Sequence, residues 1–86
     1  MKIKFKITGD SLGGIRFEGE TYQSEDDTTL SLLEKIFEGC NHGSRNEFKS
    51  FLEAKTRSLS VTDVVTLNSE ERYYCDHVGW SKLEKV

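Results

Sequence analysis

The chain has 86 residues, a net charge of −3, 35% apolar and 31% charged residues, and no proline. That is one small soluble domain with a lean core, which buries only about 60% of the surface its unfolded chain exposes. The basic density is too low for duplex-DNA binding. The sequence also lacks any apolar run of membrane length and any secretory leader, so a cytoplasmic location is expected.

Lys2-Ile3-Lys4-Phe5-Lys6-Ile7 alternates without a slip, with Ile3, Phe5 and Ile7 on one side and three lysines on the other. This spacing predicts a half-buried strand. Asp10-Ser11-Leu12-Gly13-Gly14 supplies turn residues, and Ile15-Arg16-Phe17-Glu18 resumes the alternation. Residues 1–23 therefore read as an N-terminal β-hairpin, with the lysine row beside an Arg16/Glu18/Glu20 row.

Asp26, Asp27 and Thr28 are N-cap candidates for a helix over about residues 28–38. Its apolar stripe is expected to be Leu30, Leu33, Ile36 and Phe37, with Gly39 as the stop. Ser44-Arg45-Asn46-Glu47 has the S-x-x-E spacing of a capping box and predicts a second helix over about residues 45–55, buried along Phe48, Phe51 and Leu52. After Lys55 the period returns to two. Val64-Val65-Thr66-Leu67 and Arg72-Tyr73-Tyr74-Cys75-Asp76 predict strands joined by a turn at residues 68–71, and Lys82 to Val86 reads as a short edge strand after a bend at Gly79. The order ββααββ(β) implies an α+β domain: an antiparallel sheet of four to five short strands with two helices packed on one face.

Chemistry-bearing residues are sparse. Cys40 and His42 lie close together, as do Cys75 and His77, but neither pair has the gap that turns two ligands toward one zinc ion. Two thiols 35 positions apart in a chain without a leader read as buried and reduced. Cys75 and His77 could share a strand face as nucleophile and base, yet no oxyanion-hole glycine cluster accompanies them. The segment Arg57-Ser58-Leu59-Ser60 could receive a phosphate or carboxylate; the simpler reading is that Ser60 and Asp63 bond local backbone to launch the following strand. No catalytic, cofactor or metal residue is assigned, and no cofactor is expected.

Two surfaces remain as interaction candidates. Glu25, Asp26, Asp27, Glu34 and Glu38 stand against Lys35 alone over residues 24–38, so the first helix presents an acidic face. Arg57, Arg72, Tyr74, Asp76 and Trp80 combine aromatic and charged groups of the kind that interfaces use and that stack single-stranded bases. Arg72, Tyr74 and Asp76 share a strand face opposite Tyr73 and Cys75, while the simpler reading of Trp80 is a core residue closing the sheet, with Tyr74 packed on it.

The stretches Leu33-Glu34-Lys35-Ile36-Phe37-Glu38, Phe48, Arg57-Ser58-Leu59-Ser60-Val61-Thr62-Asp63-Val64-Val65, Tyr73-Tyr74-Cys75-Asp76 and Gly79-Trp80 resemble the YodL-like domain family. The resemblance covers residues 26–83, within a YodL-like region taken as residues 24–86 of a single domain. Thr62 stands where many relatives have Gly or Ser, and Trp80 where many have Phe. The family brings no established activity. It implies a setting in bacteria of the Firmicutes, their phages and mobile elements. In that setting the expected function is that of a non-catalytic accessory protein acting by protein–protein contact, as an inhibitor of host defence of anti-CRISPR or anti-restriction type. The expected partner is a host defence complex. A second copy of the chain is a further candidate, because a dimer interface adds the buried area that a lean core lacks. The alternative is a weak single-stranded nucleic-acid-binding module using Tyr74, Trp80, Arg57 and Arg72.

Overall fold

The computed structural model describes residues 1–9 and 14–83. Residues 10–13 of the expected hairpin turn and residues 84–86 of the expected last strand lie outside the described residues. The elements are β1 (Lys2–Thr8), β2 (Ile15–Tyr22), α1 (Thr29–Gly39), α2 (Lys49–Ala54), β3 (Val64–Leu67), β4 (Glu71–Asp76) and β5 (Gly79–Leu83). The five strands form one antiparallel sheet in the order β2-β1-β3-β4-β5, so the fold is α+β with two short helices inserted between β2 and β3.

The alternation in β1 sorts its side chains as the period of two demands. Ile3, Phe5 and Ile7 are each at most 3% exposed, and they cluster with Phe17, Leu32, Leu33, Ile36, Phe51, Leu59, Val65, Leu67, Tyr73 and the two cysteines. Aromatic contacts tie the layers together: the Phe17 ring meets Phe5 at 5.9 Å and Phe51 edge-on at 5.6 Å. Lys6 lies opposite Glu18 and Lys4 opposite Glu20, as the two charged rows imply, and Lys2 makes a 3.4 Å ion pair with Glu20. Gly19 sits opposite Phe5 because a Cβ there would fall 2.8 Å from the Phe5 ring and 2.9 Å from Phe17.

Several expectations need correction. The α1 stripe is Leu32, Leu33, Ile36 and Gly39, while Leu30 is 57% exposed and Phe37 only half-buried. Thr28 is the N-cap, in a reciprocal capping box with Ser31. Gly39 does not end the helix through a positive φ. It is the last helical residue, and a Cβ there would lie 2.2 Å from the Phe48 ring that packs across it. The second helix spans six residues rather than eleven. The Ser44–Glu47 box is absent: Glu47 accepts from the Gly43 amide at 2.9 Å, Ser44 donates to the Glu38 carbonyl, and Arg45 adopts φ 71. Phe51 is fully buried in α2, whereas Leu52 is 47% exposed and Phe48, as N-cap, is half-buried. The last strand starts earlier than the sequence suggests, at Gly79, and contains Trp80.

Candidate interaction surface and its structural anchor

Asp63 is the sole buried charged residue among the described residues, with 0% exposure. It precedes β3 and accepts hydrogen bonds from three residues, one in β2 and two in the α2–β3 connection. Arg16 Nη2 and the Ser60 amide (2.9 Å) donate to Oδ2, and Arg57 donates to both oxygens, at 3.1 Å to Oδ1 and 3.4 Å to Oδ2. Arg16 reaches it through a bulge. Ile7 pairs with Phe17 but Thr8 pairs with Ile15, so Arg16 is the extra residue of β2, and its side chain turns away from the charged row the alternation predicts. Its Nη1 then binds the Arg57 carbonyl at 3.2 Å and Thr56 Oγ1 at 3.4 Å, which fixes the α2–β3 connection to the sheet.

The turn that delivers Asp63 is strained. The Asp63 amide donates to the Ser60 carbonyl at 3.1 Å, and Thr62, third in the turn, has φ 81, a position that type II turns reserve for glycine. Thr62 and Asp63 together face Cys75: the Thr62 amide donates to the Cys75 carbonyl and the Cys75 amide to the Asp63 carbonyl, both at 2.9 Å. Ser60 and Asp63 thus bond local backbone at the head of β3. Arg57 is 55% exposed, but its donors point inward, to Asp63, to Ser60 Oγ at 2.9 Å and to the Ser58 carbonyl at 3.3 Å. A buried carboxylate held by two guanidinium groups and an amide is an anchor for the fold.

The thiols are likewise buried. Burial pushes Cys40 up to about 12, partly offset by the charge of Arg16, and raises Cys75 as well, the carboxylates of Asp63, Glu34 and Asp76 adding to the effect. A thiol with a raised pKa is the opposite of an activated nucleophile. His42 donates from Nε2 to the Thr56 carbonyl at 2.8 Å and packs, tilted, 4.8 Å from the Phe51 ring, while His77 lies in the exposed β4–β5 turn. Among the described residues no three His, Cys, Asp or Glu side chains gather as a metal site.

The five residues Arg57, Arg72, Tyr74, Asp76 and Trp80 do not form one cluster. Arg57 belongs to the Asp63 anchor. Trp80 pairs with Cys75 on the core side of the sheet and meets Phe37 edge-on at 6.3 Å. Arg72, Tyr74 and Asp76 share the opposite, outward side, where register puts Ile15, Thr8, Val64, Tyr74 and Ser81 in one row across all five strands. The adjacent row runs Glu18, Lys6, Thr66, Arg72 and Leu83. Ile15 is 54% exposed, Arg72 is exposed, and Val64 and Tyr74 are half-buried by their neighbours. Periodicity alone does not single out Ile15, Thr8 and Val64, because cross-strand register is what joins them to Tyr74.

The acidic surface also divides. Glu25, Asp26, Glu34 and Glu38 are exposed, with Leu30, Glu34 and Glu38 along one line of α1. Asp27 is withdrawn from it. Lys35 binds Asp27 at 2.9 Å and, with the bonds from Ser24 and Ser31, holds its carboxyl well below the usual range. Among the described residues no helix is long and apolar enough to cross a membrane.

No curated protein and no solved structure matches the chain. The pattern of the YodL-like domain matches residues 4–85, taking in the N-terminal hairpin as well as the segments that carry the resemblance. The bulge at Arg16, the turn at Thr62 and the outward row through Tyr74 are all contained within that span, and the chain belongs to the YodL-like domain family.

Proposed function

We propose that this domain is a non-catalytic binding protein that recognises another protein through the outward face of its sheet, with α1 and α2 stacked on the other face. The observation that carries this reading is the row Ile15–Thr8–Val64–Tyr74, apolar and aromatic apart from Thr8, flanked by Arg72 and crossing four strands on the side away from the core. An aromatic residue beside arginine within an apolar strip has the composition of an interface centre. Glu18, Glu20 and Asp76 interleave with Lys2, Lys4, Lys6 and Arg72 on the same face, a mixed pattern that falls short of the basic density a phosphate backbone requires and suits a protein partner.

A finer form of the proposal makes the partner a host defence complex and this protein its inhibitor, of anti-CRISPR or anti-restriction type, acting in the bacterial cytoplasm. It draws on the phage and mobile-element setting implied by the family, and on the acidic stripe of Glu25, Asp26, Glu34 and Glu38, whose sign suits a groove built for nucleic acid. The single-stranded nucleic-acid alternative loses Trp80 and Arg57 to other parts of the molecule. Titrating labelled single-stranded DNA at low salt separates the two. The protein-binding reading expects no association. Micromolar binding that falls steeply with salt and disappears in Tyr74→Ala would overturn it.

A further inference from the structure

We propose that β2 is a docking edge for an extended, basic segment of another protein, which adds to the sheet as a sixth strand. The sheet has two edges, and they are built differently. β5, described over Gly79–Leu83, carries Lys82, 63% exposed and 3.9 Å from Glu71, so it is blunted by lysine, a usual protection of a natural edge. β2 is eight residues long, has no lysine or proline, and turns its one basic side chain, Arg16, inward to Asp63. Gly19 at its middle adds no bulk beside an incoming backbone.

The outward-facing residues of β2 are Ile15, Glu18, Glu20 and Tyr22, two carboxylates between two exposed apolar groups, with Ile15 54% and Tyr22 65% exposed. Antiparallel self-pairing centred on the middle of the strand would set Glu18 and Glu20 opposite the same carboxylates of a second copy, and like charges directly opposite are unfavourable. That pattern disfavours a homodimer at this edge and selects a strand with basic residues in alternation. The molecule already contains such a strand on the other flank of β2: β1 places Lys6 opposite Glu18, Lys4 opposite Glu20 and Lys2 opposite Tyr22. β1 is paired on both sides, to β2 and to β3, so β1 of another copy is not available to fill the edge. The occupant is a lysine- or arginine-alternating segment of a different protein, bound by main-chain hydrogen bonds and chosen by its side chains.

A synthetic peptide of residues 2–8, KIKFKIT, reproduces the required pattern and serves as the probe. Amide exchange and chemical-shift perturbation on the intact protein are expected to show it binding along β2, slowing exchange of the β2 amides that point away from β1. Glu18→Lys with Glu20→Lys should weaken it at least tenfold, as should a peptide with glutamate in place of its three lysines. Equal affinity for the lysine and glutamate peptides, perturbation centred on β5 or α1, or no binding at millimolar peptide would overturn edge docking. Because Tyr74 lies three strands away, cross-linking from residue 74 that persists while peptide binding fails would sink this proposal and spare the sheet-face reading.

Discussion

Arg16 and Asp63 are 47 positions apart, and their contact joins an edge strand to the head of a central one. The bulge that frees Arg16 from the β1–β2 ladder and the turn that buries Asp63 are each unfavourable alone; together they create an ion pair inside an otherwise apolar layer.

Removing one member of such a pair leaves an uncompensated charge. Asp63→Asn is expected to cost about 3–5 kcal/mol, much of the margin of a small domain. Arg57→Ala should cost less, because its side chain is half in water whereas that of Arg16 is 18% exposed. Urea unfolding of Asp63→Asn, Arg16→Ala and Arg57→Ala checks the ranking, and a double-mutant cycle on Arg16 and Asp63 measures their coupling.

Thr62 pays a steric cost at φ 81 that glycine does not. Relief of left-handed strain in a β-branched residue, less the entropy glycine adds to the unfolded chain, predicts that Thr62→Gly stabilises by about 1 kcal/mol. A lower urea midpoint for this variant would show that the turn is not strained.

Phe51→Ala should cost about 3–5 kcal/mol, since the ring is fully buried against Phe17 and His42. Leu52→Ala and Leu30→Ala, both at exposed positions, should fall within about 0.5 kcal/mol of the parent. Thermal melts of the three proteins test the placement of α1 and α2.

The pH dependence follows from the thiols and from Asp27. Cys40 is raised by burial, so the folded state retains a proton that the unfolded chain releases as pH passes the ordinary thiol value of 9.0. Stability contributed there is complete below that pH and declines as pH rises toward 12. Asp27 behaves oppositely. Its pKa is depressed, first by Lys35, so its contribution is present above the ordinary value of 3.8 and is lost as pH falls through the lower folded value. Denaturant titrations from pH 3 to pH 10 should give a plateau that declines at both ends, and Cys40→Ala should remove part of the alkaline decline.

Much of the fold is legible in the sequence because its strands carry strict alternation. Lys2–Ile7 and Tyr73–Asp76 sort correctly into inward and outward residues from period alone. The second helix is overread because Ser44-x-x-Glu47 matches a cap by spacing, while Gly43 and a left-handed Arg45 take the chain out of helical geometry first. The Asp63 anchor is invisible in one dimension, since a bulge changes which way Arg16 points and periodicity carries no record of it. Trp80 is misgrouped with Tyr74 for a related reason: the length of the β4–β5 turn sets which face it takes, and the two-residue turn puts it beside Cys75.

Trp80 and Tyr74 should therefore separate by experiment. Trp80→Ala is expected to destabilise the domain by removing its contact with Phe37, whereas Tyr74→Ala should leave stability within about 1 kcal/mol and remove partner binding. Thermal melts followed by far-UV circular dichroism compare the two variants, because Trp80 is the single tryptophan and its replacement removes the fluorescence signal.

The most direct measurement is site-specific photo-cross-linking in the producing cell, with a photoreactive phenylalanine at position 74, 34 or 80. Sheet-face recognition predicts a discrete protein adduct from position 74 that is lost on Arg72→Glu, and none from position 80. Adducts confined to position 34, or adducts at 74 that nuclease removes, would contradict it.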